Sequence, residues 1–149
     1  LDANLTPDMI DGLTAIENHP PIAIDAVSVS KATRLRSKLR DYCLIFCNLD
    51  EAEALLDQKF NSSREAGKAM AAQTVQNSII TNGPHPLSVQ TGTVVDLIEV
   101  PAVEVSSVTG AGDALIAGTL AGLVAGQSLM QAATQGISAA ADQLRGQTS

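Results

Sequence analysis

The chain is 149 residues long, 45% hydrophobic, 2% aromatic and without tryptophan, and its formal net charge is −7. That length suits one compact domain or a large part of one, and the composition gives a core of Ala, Val, Leu and Ile in which helices sit close on a sheet. The acidic balance, with no long Lys/Arg run and no stacking aromatics, argues against a nucleic-acid partner, and the apolar run 114–125 is too short to cross a bilayer.

Helical and extended segments alternate along the chain. Residues 7–17 read as a helix with Thr6 as N-cap and Pro7 in its first turn. Residues 22–26 follow Pro20-Pro21 as a short apolar strand. Ser30 is placed to cap a helix over 31–40, on which Lys31, Arg34, Arg36, Lys38 and Arg40 form a solvated face. Residues 43–47 make the next strand, with Cys43, Ile45 and Cys47 on one face. No second Cys or His pair stands at zinc-ligand spacing, so both thiols read as structural, and two thiols suit a reducing cytoplasm. Asn48 or Asp50 opens a helix to about Leu56, and Ser62 or Ser63 opens another to about Val75. Residues 78–81 form a strand that ends in the turn signal Asn82-Gly83-Pro84. Residues 87–90 and 93–100 alternate around Thr91-Gly92 and predict a β-hairpin. Helices over 111–125 and 128–144 complete the chain, which reads as one unit over 1–149. His19 and His85 fall in Pro-rich loops and read as surface residues, and Glu99 and Glu104, flanking Pro101, read as solvated charges.

This alternation predicts an α/β fold with a mostly parallel sheet. In such sheets ligands gather beyond the C-terminal ends of the strands. Polar groups fall after each strand: Asp25 and Ser28, Asn48 and Glu51, Thr81 and Gly83. A fourth cluster, Gly110-Ala111-Gly112-Asp113, follows the hairpin and opens an apolar, small-residue helix. Glycines at a helix mouth let successive N–H groups converge, and the helix adds unpaired donors and its positive dipole end. The result is an anion hole with Asp113 at its rim, where a carboxylate can take a proton from an attacking hydroxyl. The plainer reading is a loop-to-helix junction with a first-turn acid. Asn48 and Glu51, three residues apart, share a helix face and can order the waters of a Mg²⁺ ion, or simply cap the helix.

The run 107–113, Ser-Val-Thr-Gly-Ala-Gly-Asp, resembles the second signature of the PfkB (ribokinase-like) family of sugar and nucleoside kinases, Asp-Thr-x-Gly-Ala-Gly-Asp. Asn48-Leu49-Asp50-Glu51 resembles that family's Asn-x-x-Glu motif, and Thr81-Asn82-Gly83 its Thr-x-Gly strand end. Residues 24–32 are similar to an Asp-Pro-Val-Ser run of the pseudouridine-kinase-like branch, with Ala26 at the Pro position. The resemblance implies a Rossmann-like three-layer α/β/α sandwich and ATP-dependent phosphoryl transfer to a hydroxyl of a sugar or nucleoside. It implies Asp113 as general base and Gly110, Ala111 and Gly112 as the anion hole. Asn48, Thr81, Gly83, Thr109, Gly110 and Gly112 would line the nucleotide site, and Asn48 and Glu51 would hold Mg²⁺ through water. Thr109 would also serve a monovalent cation (K⁺). Ser107 stands where the family carries an aspartate beside that cation, and it brings no charge. The resemblance covers a C-terminal half only, without the substrate and lid part, through which family members form homodimers. A non-catalytic, ligand-binding member of the same fold is the alternative.

Overall fold

The computed structural model describes residues 1–102 and 110–146. The chain divides into two compact units, Leu1–Leu97 and Ile98–Ser149.

The first unit is a five-stranded sheet in the order β1-β2-β3-β4-β5, with four α-helices. Helix α1 (Pro7–Thr14) starts where the Thr6 hydroxyl accepts the Met9 N–H at 3.3 Å. It stops three residues before the expected end, because Asn18 turns left-handed (φ 57°) and Pro20-Pro21 hold the chain extended. Strand β1 (Ala23–Asp25) runs parallel to β2 (Leu44–Asn48), with Ile24 opposite Ile45 and Asp25 opposite Phe46. Residues 1–3, to which the sequence assigns no element, extend the sheet beyond β1. The Ala3 N–H bonds Asp25 O at 2.9 Å, and the Asp25 N–H bonds Leu1 O at 3.1 Å.

The helix expected over 31–40 is two pieces, α2 (Val29–Ala32) and a 3₁₀ helix (Thr33–Lys38). Ser30 lies inside α2 and caps nothing; the N-cap position is Ser28. The basic residues on this segment are also more than a solvated face. Lys38 pairs with Asp11 at 2.9 Å and bonds the Thr14 hydroxyl at 2.8 Å. The Arg36 guanidinium bonds Ala54 O at 2.6 Å and Asp57 at 3.1 Å. Arg34 reaches Ala3 O and Arg40 reaches Gln73 O, while Lys31 donates to Asn4. Each long side chain ties the segment to a neighbouring element.

Strand β2 is buried along Leu44–Cys47, as a strand flanked on both sides and covered by helices requires. Helix α3 (Leu49–Leu56) follows directly and ends at Asp57, left-handed at φ 55°. Helix α4 (Ser63–Ala72) is capped by Ser62, whose hydroxyl accepts the Glu65 N–H at 3.2 Å. Strand β3 (Asn77–Asn82) pairs parallel with β2, then antiparallel with β4 (His85–Thr91). His85 therefore opens a strand and is not in a loop. Gly83 (φ 56°) makes the tight turn, and Gly92 (φ 58°) makes the next one, into β5 (Val94–Ile98). The expected hairpin is present, and the parallel part of the sheet is β1 to β3. Ile10, Leu35, Ala52, Leu55, Ala66 and Met70 from the helical segments pack with Ile24, Ile45, Cys47 and Ile80 of the sheet in one core.

The second unit is a hairpin of α5 (Ala111–Val124) and α6 (Leu129–Gly146). Ser128 and Gln131 exchange bonds at the start of α6, Ser128 N–H to Gln131 Oε1 at 3.1 Å and Gln131 N–H to Ser128 Oγ at 3.4 Å, a capping box. The two helices touch through glycines. A methyl group on Gly118 would lie 2.9 Å from the Gly136 Cα, and one on Gly122 would lie 2.9 Å from the Ala132 Cα. Earlier residues of α5 face later ones of α6, so the helices run antiparallel.

Candidate active site

Three of the four polar clusters come together at one edge of the first unit. Strands β1, β2 and β3 are parallel and end at the same side. Asn48 and Thr81 are register partners, and Asp25 lies opposite Phe46, two residues before Asn48. Gly83 sits in the exposed turn just beyond β3, with nothing within 4 Å of where a side chain would start.

Asn48 and Glu51 form a complete capping box at the start of α3. The Asn48 Oδ1 accepts the Glu51 N–H at 2.9 Å, and the Glu51 Oε2 accepts the Asn48 N–H at 2.9 Å. One oxygen of each side chain is thus engaged by the backbone. Glu51 is 6% exposed. Burial raises its carboxyl above the usual value, the Asn48 backbone N–H works against that, and the Asp25 charge adds to the rise. Burial, followed by the charges of Glu51 and Asp25, also holds the Cys47 thiol protonated. Burial raises the half-buried Cys43 thiol as well. Both cysteines are free. Neither has the depressed pKa of a nucleophile.

Among the described residues no group of three or more His, Cys, Asp or Glu side chains could hold a metal ion directly. A Mg²⁺ ion that keeps its waters needs only one or two carboxylates nearby. Glu51, with its second oxygen outside the cap, meets that requirement.

The fourth cluster lies in the second unit. Gly110 is left-handed (φ 84°) and is the N-cap of α5, without a side-chain cap. The first bond of the helix runs from the Ala114 N–H to Gly110 O at 2.9 Å. The N–H groups of Ala111, Gly112 and Asp113 are therefore outside the helical ladder and gather at the positive dipole end. A side chain on Gly112 would meet nothing within 4 Å, so the mouth is open. Asp113 is exposed in the first turn. Glu104, Ser107 and Thr109 lie outside the described residues.

Open backbone donors beside an exposed carboxylate suit a phosphoryl group and a hydroxyl. The sequence profile of the pfkB family of carbohydrate kinases matches residues 13–146. The chain belongs to the pfkB carbohydrate kinase family. Solved structures agree with the assignment. A carbohydrate kinase from Agrobacterium tumefaciens is 33% identical with a TM-score of 0.78, over 94% of this chain and 45% of that one. A Clostridium perfringens protein assigned as a sugar kinase superposes with a TM-score of 0.87 at 21% identity, over 97% of this chain and 46% of that one. An adenosine kinase from Sinorhizobium meliloti is 26% identical with a TM-score of 0.69, over 80% of this chain and 38% of that one. No curated protein sequence matches the chain. The pfkB chain thus spans less than half the length of the kinases it superposes on, and its fold is the ribokinase-like α/β fold expected from the sequence. No helix among the described residues is long and apolar enough to cross a membrane.

One residue at the sheet edge escapes sequence reading. Val27 is left-handed, at φ 65°. Asp25 and Ser28 flank it and are visible as polar groups after a strand, but no local pattern announces a valine in that conformation.

Proposed function

We propose that the chain is the nucleotide-binding and catalytic part of a kinase that transfers the γ-phosphoryl group of ATP to a hydroxyl of a sugar or nucleoside. The observation that carries this reading is the start of α5. Left-handed Gly110 leaves three N–H groups open beside exposed Asp113, in a chain of the pfkB family. Asp113 accepts the proton of the acceptor hydroxyl as its oxygen bonds to the γ-phosphorus. The bond from that phosphorus to the β,γ-bridging oxygen breaks and ADP leaves. The N–H groups at 111–113, turned outward by Gly110, meet the charge that spreads over the γ-oxygens. Asn48, Thr81 and Gly83 line the nucleotide. Asn48 and Glu51 would hold Mg²⁺ through its waters, and the ion when bound would screen the phosphate charge. Thr109 belongs to the nucleotide site in this reading, and with Ser107 in the Asp position any K⁺ effect is expected to be weak. The acceptor class rests on kinship with sugar kinases and with the adenosine kinase of Sinorhizobium meliloti. The run around Asp25 and Ser28 favours a ribosyl compound, pseudouridine included. Two free thiols suit action in the cytoplasm.

The test is ATP consumption by the intact protein that carries this chain, against ribose, fructose, adenosine and pseudouridine, with Asp113→Asn in parallel. One acceptor is expected to drive turnover, and the Asn variant to lose roughly a hundredfold, as for removal of a general base. Its melting temperature is expected to stay unchanged, because Asp113 is exposed. Asn turnover equal to wild type would overturn the assignment of the base. A protein that binds nucleotide but phosphorylates no hydroxyl compound would be a non-catalytic member.

A further inference from the structure

Val27 carries the largest local anomaly at the sheet edge. A β-branched residue at φ 65° is an outlier, because its branched side chain crowds the backbone there. The conformation is held on every side. The Ser28 N–H bonds Ala26 O at 2.7 Å and closes a three-residue turn centred on Val27, in the strained, positive-φ form. The Ala26 N–H bonds Phe46 O at 3.0 Å and anchors the turn to the sheet. On the other flank, Ser28 O accepts the Lys31 and Ala32 N–H groups at 3.0 and 2.8 Å and starts α2. The Asp25 carboxylate accepts the Val27 N–H at 3.2 Å. Of these four supports, only the last comes from a charged side chain at the edge where β1, β2 and β3 end beside Asn48 and Glu51.

We propose that residues 25–28 form a sprung turn: Asp25 is the catch that holds Val27 left-handed, and binding of Mg·nucleotide draws the carboxylate away and lets the turn relax. The inference rests on the kinase reading above. The Asp25 oxygen would turn from the Val27 N–H to a hydrated cation held beside Glu51, since a carboxylate binds charge more strongly than a neutral donor. Strain present without ligand and absent with it adds to binding, because a ligand shifts an equilibrium by its differential interaction with the two states. Glycine at 27 would sit in the turn without strain and would leave nothing to release.

The intact protein is examined as wild type, Val27→Gly and Val27→Ala, with Mg·ADP as probe and ADP without Mg²⁺ as control. Amide hydrogen exchange at Ser28 is read with and without Mg·ADP, binding is read by calorimetry, and each variant is melted. In the wild type, Mg·ADP is expected to speed Ser28 exchange as its bond to Ala26 opens, and ADP without Mg²⁺ is expected to leave it unchanged. Val27→Gly is expected to melt above Val27→Ala, against the usual order of these residues, yet to bind Mg·ADP roughly tenfold more weakly than wild type. Side-chain packing as the sole role of Val27 would make binding follow melting temperature, with Gly, which keeps no side chain, the worse on both, and would overturn the proposal. Ser28 exchange that stays constant or slows on Mg·ADP binding would overturn it too. Wild-type protein that takes up no Mg·ADP would sink the kinase reading and the sprung turn with it, while the Gly-above-Ala order would still report the strain by itself.

Discussion

Single residues at the sheet edge serve the fold and set the local charge. Glu51 closes the capping box of α3 and also places a buried carboxyl beside the edge, and the two roles pull on its charge in opposite directions. Burial, the larger effect, raises its pKa above the ordinary value of 4.5. The folded chain therefore holds the Glu51 proton more tightly than the unfolded chain. The stability this contributes is present below about pH 4.5 and is lost as pH rises through the higher folded value. Glu51→Gln stays neutral throughout and can still accept the Asn48 N–H. Relative to wild type, its melting temperature is expected to climb as pH is raised from about 4 toward 7. Calorimetric melts across that range check this, and parallel curves for the two proteins would contradict it. The catalytic expectation for Asp113 belongs to the same scale, as its exposed position separates activity from stability.

At the scale of elements, glycines with the same backbone preference have opposite expected effects. Gly12 lies in α1, and a methyl group there would meet nothing within 4 Å. Gly12→Ala should stabilise the chain by about 0.5–1 kcal/mol, the usual gain of Ala over Gly in a helix. Gly136 lies in α6 against the Thr119 hydroxyl and the Leu115 carbonyl, with no room for a methyl group. Gly136→Ala gains the same propensity but forces the α5–α6 hairpin apart, at a net cost of about 1–3 kcal/mol. Urea melts of the two variants should move in opposite directions. The same contacts explain the composition of α5. Its Gly118 and Gly122 are spaced one turn apart because the partner backbone passes over both, and Thr119, fully buried between them, bonds Leu115 O at 2.8 Å.

Across the whole chain, protection follows from the topology of the sheet. Strands β2 and β3 have strands on both sides, and Ile45, Phe46, Ile79 and Ile80 are almost fully buried. Strand β5 ends the sheet order and exposes Val94. Amides of β2 and β3 are expected to be the slowest to exchange in the first unit, at rates set by its global unfolding, and those of β5 to exchange through local opening. Hydrogen-exchange mass spectrometry with peptides over 44–48, 77–82 and 94–98 reads this directly. Equal rates in all three would mean that the sheet opens only as one body.

Much of this protein was legible in the amino-acid sequence. The α/β class, the order of strands and helices, the cap at Thr6, and the helix starts at Asn48 or Asp50 and at Ser62 or Ser63, of which the structure uses Asn48 and Ser62, are set by signals within one or two turns of chain: an apolar period, a side chain that bonds the third N–H ahead, a Pro or Gly that stops an element. Gly110-Ala111-Gly112-Asp113 was legible for the same reason, since a glycine before a helix and an acid in its first turn act locally. Tertiary structure alone decided the rest. The segment after Ser28 became a short α-helix and a 3₁₀ helix because its Lys and Arg side chains reach partners on α1, α3 and the loop after α4, far away in sequence. Residues 1–3 joined the sheet because β1 offers them an edge. Val27 turned left-handed because Phe46, the start of α2 and Asp25 hold its neighbours, and a strain imposed from three directions has no signature in the valine that bears it.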